Sequence, residues 1–274
     1  MIDDFPRFVN SNGFVSSKWS DGSDEHEGEG ILWSGVAMAF LPCHMGKGIS
    51  KKMADLIVKN DGKVVRWLDD QGSLGEYADG REITMDGTTG LYAGIAKRVV
   101  ECGERSVWLK AMMAHKKWLD DNDGILYPDT VKHPWPFNFV RDGIFWRLGL
   151  VNKPSGAKLR FMGVSATGWV TAVLASESAA FRVHLAWLHM WTADKLGFEV
   201  SRDGFCYPAK KVGIPIVSSW CGSPGLNDEF MRSFEKNKWE YRHQRGKWET
   251  PDGRNGLDTP GLDFIVSYHS KYGG

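Results

Sequence analysis

Apolar residues recur through most of the chain at the three- to four-residue spacing that is typical of helices. Residues 31–42 are apolar nearly all round, which predicts a buried helix that Pro42 ends. Residues 48–60 place their apolar side chains on one face only, which predicts an amphipathic partner helix. The same spacing, with connections rich in Gly, Asp and Pro, predicts helices over 87–101, 105–119, 138–149, 159–176, 179–196, 226–237 and 260–271.

Strand signals are few and short, and the best are residues 62–68 (GKVVRWL) and 197–200 (GFEV). The sequence has no phosphate-binding or dinucleotide-binding glycine loop, no G-x-S-x-G nucleophile elbow and no H-E-x-x-H zinc motif. We therefore predict a mainly all-α fold of antiparallel helical hairpins with long loops and a few short strands. No repeat of fixed length is present, so a regular solenoid is not favoured. Residues 1–274 are predicted to form a single domain, with 238–256 as a polar loop within it.

The composition is that of a folded protein without a charge bias. The chain has 13 Trp and 14 Phe, and its 34 Lys and Arg residues balance 34 Asp and Glu residues. It therefore lacks the basic excess of a general nucleic-acid binder. No segment is apolar over the ~18 residues of a membrane helix, and the start MIDDFPRF lacks the apolar region of a secretion signal. A soluble protein without a signal peptide or a membrane partner is expected.

The four cysteines carry no pairing signal. No two of them have a C-x-x-C spacing, and each adjoins apolar or small residues. We expect buried, reduced thiols of the kind found in cytosolic proteins. The residues concerned are Cys43, Cys102, Cys206 and Cys221.

An acidic stretch, DGSDEHEGEGILWSG at residues 21–35, leads into the predicted buried helix. Its five acids include Asp24, Glu27 and Glu29. Capping and the helix dipole explain one or two acids at a helix start, but five exceed that need. Crowded carboxylates raise one another's pKa, which is what a general acid requires near neutral pH. Helix capping, a catalytic acid and metal ligation are the three interpretations of this stretch.

Further candidates lie on the predicted helices. Asp86 stands at the start of the 87–101 helix, where it is either an N-cap or a second catalytic acid. Arg141, Asp142 and Arg147 interrupt an apolar helix, as a structural ion pair or as a site for an acidic sugar. His184 is either a hydrogen-bonded core residue or a functional one. Tryptophan fills cores and also stacks on sugar rings, and the candidates for sugar contact are Trp33, Trp135 and Trp187.

Neither a metal nor a cofactor is expected. The loop LDDNDGILYPD resembles a calcium loop, but Thr130 stands where the template requires a glutamate. The run of cations between Lys236 and Arg254 also contains acids, which is typical of a solvated loop. Both segments are therefore interpreted as turns or loops rather than as ligand sites.

Five segments in order carry a resemblance to a known type of protein: the DGS…G entry, ITMDGTTGLYAGIAKRV, WLDDNDGILYPDT, WPFNFVRDGIFWRLGLVN and FRVHLAWLHMWTADKLG. Over about residues 10–197 they resemble phage-encoded proteins of the (α/α) toroid, or six-hairpin glycosidase-like, type. The resemblance implies an (α/α) toroid or incomplete barrel, in which alternate helices line the inner wall and their N-terminal ends open on one face. Glu27 and Asp86 would then converge on one cleft.

The segment HEGEGILWSGVAMA is similar to the core helix start of inverting (α/α)-barrel endoglucanases of family 8, where a Ser-Glu-Gly-x-Gly run carries the general acid. Glu27 matches that acid, although His26 stands in place of the serine and Glu29 fills the variable position. The likeness implies hydrolysis of a polysaccharide, with Glu27 or alternatively Glu29 as the acid and Asp86 as the base or water-positioning group.

Two other functions fit the same resemblance. A lyase acting on a uronate-containing polysaccharide would bind the uronate through Arg141 or Arg147 and use His184 and Arg182. Tyr207 or Tyr92 would be its proton-transfer group. A non-catalytic phage virion or host-interaction protein would keep only the helical fold, with other virion proteins as its partners. In each case we expect a soluble protein in the cytoplasm of an infected host or in the virion.

Overall fold

A computed structural model of the protein describes residues 9, 13–15, 18–19, 30–64, 67–68, 74–75, 85–123, 135–160, 163, 180–203, 206 and 257–258. The side chains of residues 18–19, 67–68, 74–75, 85–86, 135–138, 180–186 and 257–258 are not part of that description. The described part of the chain is mostly helical, which confirms the mainly all-α prediction. It contains no helix long and apolar enough to cross a membrane.

Packing divides the chain into two compact units. One unit comprises Val9–Ser16 and His26–Ser155, and the other comprises Met1–Phe8, Ser17–Glu25 and Gly156–Gly274. We call them the α1–α5 unit and the α6 unit after the helices that each contains. The single domain over residues 1–274 stays a prediction.

The α1–α5 unit contains five of the described helices. They are α1 (Gly30–Phe40), α2 (Cys43–Lys59), α3 (Met85–Val100), α4 (Arg105–Asp121) and α5 (Trp135–Leu148). Helix α2 begins five residues before the predicted start at residue 48 because Pro42 both ends α1 and precedes the first turn of α2. The Pro42 carbonyl accepts the N–H groups of Met45 at 3.0 Å and Gly46 at 3.2 Å. A proline can do this because the first helical turn needs no N–H donor from it.

The burial of these helices follows their sequence patterns. Every residue of α1 is buried, as expected for a segment that is apolar all round. Helices α2 and α4 are amphipathic and bury one face each. Helix α1 packs mainly on α3, α3 also packs on α5, and α2 packs on α4. The core of the unit therefore lies around α1 and α3.

Strand content is minor. Strand β1 (Lys18–Trp19) pairs with β4 (Leu257–Asp258), and β2 (Trp67–Leu68) pairs with β3 (Leu74–Gly75), both antiparallel. The β1–β4 pair belongs to the α6 unit and the β2–β3 pair to the α1–α5 unit. Of the strand predicted over 62–68, the described part includes only its last two residues as strand β2.

The α6 unit contains α6 (Ala180–Leu196) and a short helical stretch at residues 156–160. The predicted helix over 159–176 lies mostly outside the described residues, as do those over 226–237 and 260–271 and the loop 238–256. The strand predicted over 197–200 is wrong. Gly197 has a φ of 88° and ends α6, and the Phe198 N–H donates back to the Ala193 carbonyl at 3.0 Å. This bond caps the last helical turn and directs the backbone away from a strand.

The expectation of reduced thiols is also wrong. Cys43 and Cys102 form a disulfide with a Cα–Cα distance of 5.4 Å, and Cys206 is disulfide-bonded as well. No described cysteine is free. The physical reason is tertiary: the start of α2 and the turn after α3 come together although the two cysteines are 59 residues apart. Spacing along the sequence carries no signal for such a pair.

Candidate functional site

Glycines bring the backbones of α1 and α3 into direct contact. A Cβ atom built on Gly35 would lie 2.2 Å from the carbonyl carbon of Gly90. A Cβ on Gly90 would lie 2.7 Å from the Leu32 carbonyl oxygen, and one on Gly94 would lie 2.6 Å from the Gly35 carbonyl oxygen. No larger residue fits at these three positions without moving a helix, because each obstacle is backbone.

The contacts also fix the relative direction of the two helices. Early residues of α1 meet early residues of α3, since Leu32 touches Gly90, and later residues meet later ones, since Met38 touches Gly94. Helices α1 and α3 therefore run in the same direction. Their first residues, Gly30 and Met85, lie at the same end of the α1–α5 unit. We call this end the paired helix starts.

Of the acids predicted for catalysis, only Asp86 lies within the described residues. Asp86 is the second residue of α3, so it lies inside the first turn rather than at the N-cap position. Its side chain is outside the description. Asp24, Glu27 and Glu29, all in the acidic stretch before Gly30, lie outside the described residues.

Three other predicted site residues have undescribed side chains or lie outside the described residues. Trp135 is the first residue of α5 and His184 lies in the first half of α6, with neither side chain described. Tyr207 lies outside the described residues. Their predicted roles in binding and proton transfer stay predictions.

The predicted cation–acid group on α5 forms local contacts. Arg141 donates from Nε and Nη2 to Asp142 Oδ1, each at 3.2 Å, and the two side chains are 16% and 37% exposed. This ion pair joins neighbours within one helix, so it does not link two hairpins. The Arg147 guanidinium lies 4.4 Å from the centroid of the Trp146 ring, a cation–π contact. Arg141 and Arg147 therefore remain partly accessible to a ligand.

The two predicted tryptophans with described side chains are buried. Trp33 on α1 is 8% exposed, and Trp187 on α6 is 2% exposed. This is the core-filling role that was the alternative to sugar contact for tryptophan. Sugar contact by either indole stays a prediction.

Tyr92, the alternative proton-transfer group, is held in the core by a histidine that the sequence did not single out. Its hydroxyl lies 3.0 Å from His115 Nε2, and His115 Nδ1 lies 2.7 Å from the Gly62 carbonyl oxygen. Because a carbonyl only accepts, Nδ1 carries the hydrogen, and Nε2 of the neutral ring accepts from Tyr92. Gly62 has a φ of 89°, and a Cβ there would lie 2.1 Å from the Ala114 carbonyl oxygen, so glycine is required.

The protonation of this pair is set mainly by burial. Burial lowers the pKa of His115 to about 4, although the bond to Gly62 opposes the shift and the charge of Arg141 reinforces it. Burial likewise raises the pKa of the Tyr92 phenol, which the charge of Arg141 opposes and that of Asp142 favours. Both groups are neutral near pH 7 and closed to solvent, so they act as a structural pair.

A second buried polar network, which the sequence also did not reveal, joins α2, α3 and α4. Glu104 accepts from Arg98 Nη1 at 3.3 Å and from the Ser50 hydroxyl, and Trp108 Nε1 donates to the same hydroxyl at 2.9 Å. Arg98 also donates to the Cys43 carbonyl at 2.6 Å. Burial lowers the pKa of Arg98, and the Glu104 carboxylate opposes this by stabilising the charged form. The network anchors the start of α2 to the end of α3.

The described residues offer no group of three or more His, Cys, Asp or Glu side chains that could hold a metal ion. Of the features in the described part of the chain, the paired helix starts best support the predicted catalytic acids. Comparison of the chain with protein-family models, with curated proteins and with solved structures found no match.

Proposed function

We propose that the protein hydrolyses a polysaccharide with a pair of carboxylates, Glu27 and Asp86, with Glu29 as the alternate acid. The observation that supports this is the parallel, glycine-mediated packing of α1 on α3. It brings the start of α1, which directly follows the acidic residues 21–29, to the same end of the unit as the start of α3, which holds Asp86. Two acids on neighbouring elements are what acid–base cleavage of a glycosidic bond requires.

Helix geometry supports the required distance. Gly90 lies against both Leu32 and Gly35, so it marks a level between these two residues of α1. At about 1.5 Å per residue, Gly30 lies about 3 to 7.5 Å before that level and Asp86 about 6 Å before it. Asp86 is thus at about the level of the first residues of α1. Packed helices are usually roughly 8–10 Å apart, and glycine contacts place these at the short end. Carboxyl groups about 5 to 9.5 Å apart serve glycosidases.

The two acids have different surroundings, which suits different roles. Asp86 lies in the first turn of α3, where the helix dipole favours the ionised carboxylate that a base or water-positioning group needs. Glu27 shares its stretch with other acids, whose negative charges favour the protonated form that a general acid needs. We therefore assign the acid to Glu27 and the base to Asp86. Inversion is expected if the carboxyl groups are about 6.5 to 9.5 Å apart.

The packing order of the helices supports an (α/α) toroid as the proposed architecture. Helices α1, α3 and α5 pack on one another in sequence, whereas α2 and α4, which alternate with them along the chain, pack together. Helix α1 is buried along its length and α2 and α4 each expose a face, as inner and outer helices of a toroid would. In that architecture α5 begins at the same rim, with Trp135, Arg141 and Arg147 available to contact the sugar.

Reducing-end release from a panel of neutral and acidic polysaccharides tests the proposal. Wild-type protein is compared with Glu27→Gln, Glu29→Gln and Asp86→Asn, and the matched control is Asp55→Asn on the exposed face of α2. Loss of a general acid or base lowers activity by about 10²- to 10⁴-fold. We expect that loss for Glu27→Gln and Asp86→Asn and full activity for the control. Wild-type activity in Asp86→Asn would refute the pair.

The same assay separates the alternative functions. A lyase would give an unsaturated product that absorbs in the ultraviolet, and its activity would depend on His184 and Tyr207 rather than on Asp86. A virion or host-interaction protein would cleave no polymer of the panel. Either result would reject hydrolysis by the carboxylate pair.

A further inference from the structure

The two sulfurs of the Cys43–Cys102 disulfide lie at helix ends of opposite polarity. Cys43 is the first residue of α2, whose N-terminal end carries partial positive charge and has no acid in its first turn. Cys102 follows the C-terminal end of α3, where partial negative charge accumulates, and it is next to Glu101. The dipoles of α2 and α3 therefore favour a thiolate at Cys43 over one at Cys102.

Arg98 adds an independent contribution at Cys43. Its side chain is fully buried, and Nη1 donates to the Cys43 carbonyl at 2.6 Å. Its Nε and Nη2 atoms are buried and have no hydrogen-bond partner within the described structure. Gly46 makes the room for this guanidinium, because a Cβ there would lie 1.5 Å from Nη2. The guanidinium that contacts the Cys43 backbone thus keeps two buried donors without an acceptor among the described residues.

We infer that Cys43 is the leaving sulfur of a reducible disulfide, and that the start of α2 and Arg98 hold it as a thiolate after cleavage. Both cysteine residues are partly exposed, and the proposed reaction requires that a small thiol reaches their disulfide. The thiolate of an external thiol attacks the Cys102 sulfur, the S–S bond breaks, and Cys43 leaves with the electron pair. This gives a mixed disulfide at Cys102. A second external thiolate then attacks the external sulfur of the mixed disulfide and releases Cys102, which takes up a proton. Two external thiols thus become one disulfide, the protein gains two electrons and one proton, and the other proton passes to solvent because Cys43 stays a thiolate.

Reduction of this disulfide affects how the start of α2 is held to the turn after α3. In oxidising surroundings it ties the start of α2 to the turn after α3, and in the presence of thiols it opens at a defined sulfur. Opening adds the Cys43 thiolate beside Arg98, whose guanidinium already pairs with the Glu104 carboxylate at 3.3 Å. The Arg98–Glu104 pair still links the same two regions, so the opened protein is expected to stay folded.

The experiment identifies which sulfur glutathione attacks. Folded wild-type protein is exposed briefly to glutathione, free thiols are trapped with iodoacetamide, and the peptides are analysed by mass spectrometry. We expect glutathione on Cys102 and the alkyl group on Cys43. Because a thiol of lower pKa leaves faster, glutathione bound to Cys102 is expected to exceed glutathione bound to Cys43. Equal labelling, or glutathione mainly on Cys43, would overturn the inference.

Two variants test the part played by Arg98. Arg98→Met is expected to reduce the bias towards Cys102, and Arg98→Lys to retain part of it. The matched control is Lys97→Met, which removes a neighbouring cation that pairs with Glu101 in the same turn of α3. An unchanged bias in a folded Arg98→Met protein would show that the guanidinium plays no part. If Arg98→Met does not fold, the labelling of wild-type protein and of Arg98→Lys still decides between the outcomes.

Discussion

Replacing Gly35 with alanine tests the contact on which the paired helix starts depend. The new Cβ would lie 2.2 Å from the Gly90 carbonyl carbon, whereas ordinary contact begins at 3.4 Å, so the two backbones must separate. A separation of about 1 Å removes up to about half of the dispersion energy of each contact along the interface. Overpacking of this kind costs about 1–3 kcal/mol, and more when only backbone can move. We expect a net loss of about 2 kcal/mol or more, measured by urea unfolding followed by circular dichroism.

The matched control is Gly48→Ala on α2. A Cβ on Gly48 meets no atom within 4 Å, and the residue is exposed in the middle of a helix. There alanine is favoured over glycine by about 0.8–1 kcal/mol, so this variant should be more stable than the wild type. The two substitutions are chemically identical and have opposite predicted signs. A gain in stability for Gly35→Ala would refute the close parallel packing of α1 on α3, and with it the support for the carboxylate pair.

Three further predictions concern the buried groups of the α1–α5 unit. Replacing both Cys43 and Cys102 with serine removes a tie across 59 residues, which should lower the unfolding free energy by about 4 kcal/mol; a loss under 1 kcal/mol in urea unfolding would contradict the entropy argument. The pKa of His115 is about 6.5 in the unfolded chain and about 4 in the folded protein. The neutral ring therefore contributes about 3 kcal/mol to the free energy of unfolding above pH 6.5, and this contribution is lost as the pH falls towards 4. Unfolding measured between pH 4 and 7 should show that slope, and His115→Gln should flatten it. Glu104→Gln removes the charge opposite buried Arg98 and should cost about 3–5 kcal/mol, and a cost that disappears in high salt would place the pair in solvent instead.

The helices could be predicted because their buried apolar residues recur along the sequence at helical spacing. Residues 31–42 and 87–101 were predicted as helices, and α1 and α3 match them within about two residues, the usual uncertainty of helix ends. The start of α2 was not predictable in the same way. Its first turn contains His44, Gly46 and Lys47 and has no apolar stripe, so its position depends on Pro42 and on the tertiary contact of Arg98 with Cys43.

The buried polar side chains that stabilise the core were harder to predict. His115 stands in the segment AMMAHKKWL with no partner nearby in sequence, and its role depends on the Gly62 carbonyl, which is 53 residues away. Glu104 looked like an ordinary acid before a helix, yet its carboxylate binds a serine and an arginine from two other helices. Such polar pairs form between residues that are distant in sequence but close in the fold, so the spacing of residues along one sequence does not reveal them.

The glycines of α1 and α3 did indicate the contact between the two helices, but the apolar pattern pointed to another face of α3. The large apolar residues of α3 that recur at four-residue steps are Leu91, Ile95 and Val99. The contact with α1 is instead made by Gly90 and Gly94, four residues apart on another face. A helix with one apolar face and one small-residue face has to be covered on both, which explains why residues 87–98 are all buried. Such a helix cannot lie on the surface of the unit. It must run beside a second buried helix, and that requirement is what joins the start of α3 to the acidic stretch before α1.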